Sequence, residues 1–367
     1  MESAQLEAYL HHGTENILKG IVSASLQNPQ AALFMAKYAL HSKTARGRRE
    51  RAAAAGEHIP PFLIASITDK CNLHCKGCYA RANHSCTDGC GQGAALLRAD
   101  EWDSVFTQAE ALGVQFILLA GGEPFVRKDV LLQAGRHPGV LFPIFTNGTM
   151  IDDAYERVLE QNRNLLPVIS IEGNQSTTDA RRGAGVYQVI EKTMARLQKS
   201  GVLFGASVTV TRQNMQEVLS DAFVHTLKDA GAKAIVYVEY VPVDASTVAL
   251  APDEGTREAM MRRLDALRCD MADMVLIAFP GDERASGGCL AAGRGFFHIN
   301  AHGGAEPCPF SPYSDTNVRD VTLREALHSP LFRALQSSGS LMEEHTGGCV
   351  LFAQQKQVER ILQEQAV

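Results

Sequence analysis

The sequence predicts an α/β fold: a partial, TIM-like (β/α)6 barrel with an N-terminal helical extension and a small C-terminal cysteine-bearing module. Three observations predict it. Short β-branched or aromatic runs, bounded by polar or glycine punctuation, recur between residues 61 and 241, as buried strands do. Helical periodicity fills the gaps between them. The strand–helix repeat of roughly 25–40 residues suits parallel strands joined by right-handed crossovers. Six such units are too few for an eight-stranded closed barrel, so the barrel is open or partial.

Residues 1–58 form the extension. Its apolar stretches, Ile17 to Leu26 and Ala31 to Leu40, are separated by Asn28-Pro29, and a basic run follows from Lys43 to Arg51. The reading is a helical pair packed on the main domain with a solvated charged end. Its alternative is a peripheral membrane or partner-docking element through residues 1–55. The barrel core covers 59–245. Its strands are 62–67, 114–120, 140–145, 167–171, 203–210 and 234–240. Trp102, Val105, Ala109 and Leu112 share one helix face and stop at Gly113; Val186, Ile190, Met194 and Leu197 stop at Gly201. Met215, Val218, Ala222 and Leu227 predict one further helix, ending at Gly231. Glycine just past the last apolar turn supplies a left-handed stop. A connecting region, 246–285, carries a helix over 256–268 and a short strand over 274–279. The module spans 286–350, and 351–367 closes the chain as a helix.

The 367 residues are 45% apolar and 21% charged, enough to bury a core. The net charge of −6 argues against a nucleic-acid partner. No apolar run approaches the roughly 18–20 residues that span a bilayer. The acidic Met1–Glu7 start lacks a signal-peptide layout, so a cytoplasmic location is expected. Nine cysteines in such a chain point to metal or catalysis rather than disulfides.

In parallel α/β folds, ligands sit at the C-terminal ends of the strands. The first strand runs there into Cys71, Cys75 and Cys78, a C-x3-C-x2-C array on one loop. Three thiolates can hold three irons of a [4Fe–4S] cube and leave the fourth open. The other readings are structural zinc, for which His74 is poorly placed as a fourth ligand, and three free thiols. This loop resembles the signature of the radical S-adenosylmethionine (SAM) superfamily. The resemblance implies that the open iron chelates SAM and that an electron from the cluster cleaves it to methionine and a 5′-deoxyadenosyl radical. That radical abstracts hydrogen from a substrate. The family usually has an aromatic residue before the third cysteine, against the adenine. Here Gly77 stands there and Tyr79 follows the cysteine, which makes Tyr79 the candidate contact.

The other strand ends resemble the same family. Gly121-Gly122-Glu123-Pro124 matches the segment that holds the SAM amino group, and Thr146-Asn147 lies where the family has its SAM pocket. Ser170 and Glu172 match a serine and acid near the SAM ribose and carboxylate. Arg182, in Asp179-Ala180-Arg181-Arg182-Gly183, matches an arginine that pairs with the carboxylate, as a guanidinium fork can.

Cys289, then thirteen residues, Gly303, four residues and Cys308 resemble the opening of the twitch and SPASM modules, which carry auxiliary Fe–S clusters. Cys349 follows later. The resemblance implies one auxiliary [4Fe–4S] cluster on Cys289, Cys308 and Cys349, with Cys269, His345 or an open iron as the fourth position. Buried cysteines in a hairpin, or zinc, are the alternatives. Cys86 and Cys90 read as part of a plain loop, with a spare thiol pair or a lid as the alternative.

The resemblance implies an oxidoreductase or maturase-type enzyme served by a flavodoxin- or ferredoxin-type electron donor. Its substrate is unidentified: a peptide or protein, a tetrapyrrole, a sugar, a lipid or another small molecule. The strand-poor first 60 residues do not suggest a winged-helix leader-peptide domain. A non-catalytic Fe–S redox sensor or electron carrier is the rival reading; it needs a cluster but no SAM pocket.

Overall fold

The computed structural model describes residues 3–25, 28–86, 95–242, 247–271, 273–282, 288–339, 341 and 349–365. Nine strands form one sheet: β1 Phe62–Thr68, β2 Phe116–Gly121, β3 Phe142–Thr146, β4 Leu165–Ser170, β5 Gly205–Val210, β6 Ala234–Glu239, β7 Val275–Phe279, β8 Phe296–Ile299 and β9 Ala305–Glu306. Their order is β7-β6-β5-β4-β3-β2-β1-β8-β9. Each of β1 to β7 runs parallel to the next. The partial α/β barrel that the sequence predicts is what folds.

Three expectations change in detail. The alternation does not fade after β6. The helix Glu254–Asp270 and β7 make one more strand–helix–strand step, with β7 in parallel register on β6. The single helix expected from Met215 to Leu227 is two, Met215–Val218 and Asp221–Asp229. Ser220 causes the break: its Oγ accepts from the Phe223 N–H at 3.2 Å and caps the second helix, as serine does. The C-terminal module is also continuous with the sheet, because β8 pairs in parallel with β1. Buried His298 reinforces that seam. Its ring lies between Ser66 Oγ on β1 (2.8 Å) and Glu306 Oε2 on β9 (2.7 Å).

Two long helices, α1 Ser3–Ser25 and α2 Pro29–Ala54, precede the sheet. Asn28 caps α2 by accepting from Gln30 and Ala31 N–H, and Pro29 suits the first turn. α2 docks where β2 begins: Tyr38 Oη donates to Gln115 O at 2.8 Å. The basic end is not wholly solvated. Arg49 is buried, donates to Gly113 O and Gln115 Oε1, and thereby anchors the helix. On the outer face of α2, Leu33 and Leu40 are 60% and 70% exposed with Lys37 between them. Among the described residues, no helix is long and apolar enough to cross a membrane.

Candidate active site at the strand C-termini

The loop after β1 is held by its own backbone, which leaves its thiols to face inward. Lys76 N–H donates to Arg181 O (2.9 Å), and Arg81 Nη2 donates to Leu73 O (2.9 Å). Gly122 N–H donates to Thr68 O and Glu123 N–H to Lys70 O. Cys71, Cys75 and Cys78 are half-buried free thiols, and all three line one cavity of about 1460 Å³. Burial pushes the Cys71 and Cys75 thiols up, while Arg182 and Arg181 draw Cys75 back toward thiolate.

Among the described residues, no three His, Cys, Asp or Glu side chains converge tightly enough to hold a single metal ion. A cube asks something different, since its irons take thiolates at separate corners. Three thiols spread over one loop fit a cluster better than zinc.

Gly121 and Gly122 are required by close packing. At Gly121 φ is +113°, and a Cβ would lie 2.2 Å from Thr68 O; at Gly122 it would lie 2.1 Å from Lys70 O. These glycines press the end of β2 onto the cysteine loop, so part of the space expected for a ligand is taken by backbone. Both still line the cavity. Glu123 is buried and organises the neighbouring turn. Its carboxylate accepts from Phe125 N–H (3.1 Å), Thr146 Oγ1 (2.8 Å) and Asn147 N–H (2.8 Å). Burial raises its pKa, and these bonds oppose the rise. Pro124 opens a buried turn, Pro124–Val126, and is not among the residues lining the cavity. Thr146 and Asn147 line it, and Asn147 Nδ2 is fixed by donating to Asn72 Oδ1 at 2.8 Å.

On β4, Ser170 lines the cavity and shares a 2.9 Å hydrogen bond with Ser207. Glu172 sits elsewhere than the sequence suggests. It is buried behind the cavity wall, where Oε1 accepts from Arg181 Nη1 (2.6 Å) and Arg182 Nε (3.0 Å), and Oε2 accepts from Thr209 N–H (3.1 Å). Arg181 and Arg182 are the residues that reach the cavity. Glu172 orients them and balances their charge; its reach to a ligand is indirect.

Tyr79 lines the cavity and packs on Phe310, with ring centroids 4.7 Å apart. Gly77 has φ +66°, and a Cβ there would lie 2.6 Å from Tyr240 Oη. Among the described residues that hydroxyl is buried without a hydrogen-bond partner, and it lies on the cavity wall. Sequence reading missed Tyr240, although its place just past β6 was a signal. It also missed Asn72, Ser207 and Thr209. The buried Cys86 lines the same cavity, and burial pushes its thiol up to about 11. Cys90 lies outside the described residues.

A second, small cavity gathers Cys289, Cys308 and Cys349, walled by Phe279, Phe296 and Phe310. Burial raises the Cys308 thiol far above its ordinary value. Its hydrogen bond to Cys349 lowers the Cys349 thiol. Cys269 is exposed on the helix Glu254–Asp270 and is absent from this wall, which removes it as a fourth ligand; helical periodicity turns it outward. His345 lies outside the described residues. Glu239 borders both cavities and pairs with Arg257 in a buried ion pair.

Residues 65–223 match the model of the radical SAM superfamily. The matched region is a radical SAM domain. Its relatives lie in the SPASM/twitch branch. The chain is 26% identical over 320 residues to the AdoMet-dependent heme synthase of Methanosarcina barkeri, covering 79% of this chain and 87% of the relative. It is 26% identical over 300 residues to the PqqA peptide cyclase of Gluconobacter oxydans, covering 77% and 81%. The match to the Fe-coproporphyrin III synthase of M. barkeri is 29% over 161 residues and spans 43% of this chain and 39% of that protein. Among solved structures, Streptococcus suis SuiB bound to S-adenosylmethionine aligns with TM-score 0.67 at 16% identity, covering 86% of this chain and 80% of that one. Native anSMEcpe with bound AdoMet aligns with TM-score 0.59 at 16% identity, covering 84% and 97%. At such identity these structures speak for the fold.

Proposed function

We propose that the chain is a SAM-cleaving enzyme in which Cys71, Cys75 and Cys78 hold a [4Fe–4S] cluster. Cys289, Cys308 and Cys349 hold an auxiliary one. The observation that carries the reading is convergence: the three cysteines and the ends of β2, β3 and β4 border one cavity. When bound, the cluster supplies one-electron cleavage of SAM and, through it, hydrogen abstraction from a substrate. The chain's own residues bind and orient. Arg182, backed by Glu172, faces the SAM carboxylate. Glu123 and Asn72 fix the Thr146-Asn147 turn, and Tyr79 and Tyr240 close over the loop. A flavodoxin- or ferredoxin-type protein serves as electron donor. The outward Leu33, Lys37 and Leu40 of α2 are the surface for docking at a membrane or partner. Names among the relatives include heme synthases and peptide cyclases.

Reconstituted protein incubated with SAM and a strong reductant should form 5′-deoxyadenosine. Cluster reduction without that product would favour a redox sensor or electron carrier instead.

Arg182→Ala should weaken SAM binding by about 1.5–3 kcal/mol, the scale of a hydrogen bond to a charged group. Calorimetric titration checks this. Unchanged affinity would move the carboxylate contact to Arg181, which shares Glu172 with it.

A further inference from the structure

The interior of this barrel is open where a closed barrel would be packed. Barrel interiors are ordinarily filled by layers of inward side chains. Here the burial pattern is reversed. Along β3, Phe142 and Ile144 are fully buried under the helices, whereas the lumen-facing Pro143 and Phe145 are accessible. Along β6, Ile235 and Tyr237 are buried while Ala234, Val236 and Val238 face open space.

The cavity that begins at Cys71, Cys75 and Cys78 continues down the lumen to the opposite ends of the strands. There it meets Phe116 and Leu166 of the sheet and Leu10, Ile17 and Ile21 of α1. Six-residue strands set a depth of roughly 20 Å at about 3.3 Å per residue. α1 is pressed close to the sheet here: a Cβ on Gly20 would lie 2.2 Å from Val275 Cγ2. The volume of about 1460 Å³ exceeds the roughly 300–1,000 Å³ of an ordinary small-molecule pocket. One SAM-sized molecule leaves most of it free.

We propose that the lumen holds a long hydrocarbon chain, acyl or isoprenoid, inserted tail-first toward α1 with its reacting end at the cysteine loop. This rests on the SAM-cleaving reading and names its substrate class. The middle of the lumen is walled by Leu118, Phe145, Val168 and Val236, which offer contact and no hydrogen bonds. Strand backbone groups are already paired in the parallel ladder. A peptide threaded there would leave its own N–H and C=O groups unpaired, at a cost of roughly 1–3 kcal/mol each. A tetrapyrrole would carry acidic substituents past a mid-lumen wall without cations: Arg81, Arg181 and Arg182 lie at the cysteine end, and Lys19, Lys233 and Arg268 at the α1 end. A hydrocarbon chain asks only for apolar wall. The depth suffices for one leaflet's chain, half of a bilayer core about 30 Å thick.

The test uses the cluster-loaded full chain with SAM present and radiolabelled palmitate as probe. Palmitate should bind saturably, and protoporphyrin should fail to displace it. Val236→Trp and, separately, Leu118→Trp fill the lumen at mid-depth and should each weaken palmitate binding at least tenfold. SAM binding should be retained, which also reports that each variant is folded. Val236→Phe, a smaller change, should give an intermediate loss. Absence of palmitate binding, or binding indifferent to all three substitutions, overturns the proposal. So does tighter binding of protoporphyrin at the same site. Palmitate binding without 5′-deoxyadenosine formation would uphold the lumen assignment and defeat the catalytic reading, so the two failures are separable.

Discussion

Replacing Cys71, Cys75 and Cys78 together by alanine should remove about one cluster's iron per chain and abolish 5′-deoxyadenosine formation. The reason is geometric. The loop that carries these thiols is tied at both flanks, by Gly122 and Glu123 N–H to its start and by Arg181 to its middle. Its backbone shape therefore survives the loss of three sulfurs. What disappears is the donor set and with it the open coordination site, for which no oxygen ligand nearby substitutes well. The substitution must be triple. Cys86 lies on the same cavity, and it could stand in for a single missing ligand. Cys86→Ala alone should leave iron and SAM cleavage unchanged. Iron and sulfide analysis with product chromatography makes the measurement. Retained 5′-deoxyadenosine in the triple variant would sink the site.

The strand ends were legible because two sequence rules act together there. Parallel strands are read from β-branched runs, and chemistry gathers at their C-termini. That is enough to bring the cysteine loop, Gly121-Gly122, Thr146-Asn147 and Ser170 to one place without knowing a single contact. It is not enough for the direction of a side chain. Glu172 is two residues past Ser170, so strand alternation suggests the same face. The chain turns at Gly173, with φ +136°, and Asn214 Nδ2 holds the Glu172 carbonyl (3.0 Å); the carboxylate goes behind the wall to the arginines. Tyr240 could be placed at a strand end, but its role was hidden for a different reason. Its role depends on the missing side chain at Gly77, 163 positions earlier in the sequence, and no local pattern encodes that complementarity. β7 was legible as a strand but not as a barrel member, since its place depends on α1 and the helix Glu254–Asp270 packing against it.

The second large effect concerns Cys289, Cys308 and Cys349. They come from three unrelated local structures: a loop before β8, the turn after β9, and the N-cap of the helix Val350–Ala353. Nothing in the chain's connectivity forces them together, yet they border one small cavity. Three cysteines converging on one small cavity form a ready set of sulfur donors. Cys308 and Cys349 can share one hydrogen bond, while burial opposes ionisation of Cys308. A cluster would remove that conflict by taking the thiolates as ligands, and it would contribute to folding as a bound metal group does. The triple variant Cys289→Ala, Cys308→Ala, Cys349→Ala should therefore lose a second cluster's iron and melt at a clearly lower temperature. The first cluster should remain, because the cysteine loop after β1 shares none of these ligands. SAM cleavage without substrate should persist, whereas productive turnover should fall far more, since the small cavity touches the large one at Glu239 and Phe310. Iron per chain decides the first half: equal iron in wild type and variant would mean that these thiols hold no cluster. Lost iron with undiminished turnover would leave the cluster in place as a staple between the C-terminal segment and the sheet, and would deny it a part in the chemistry.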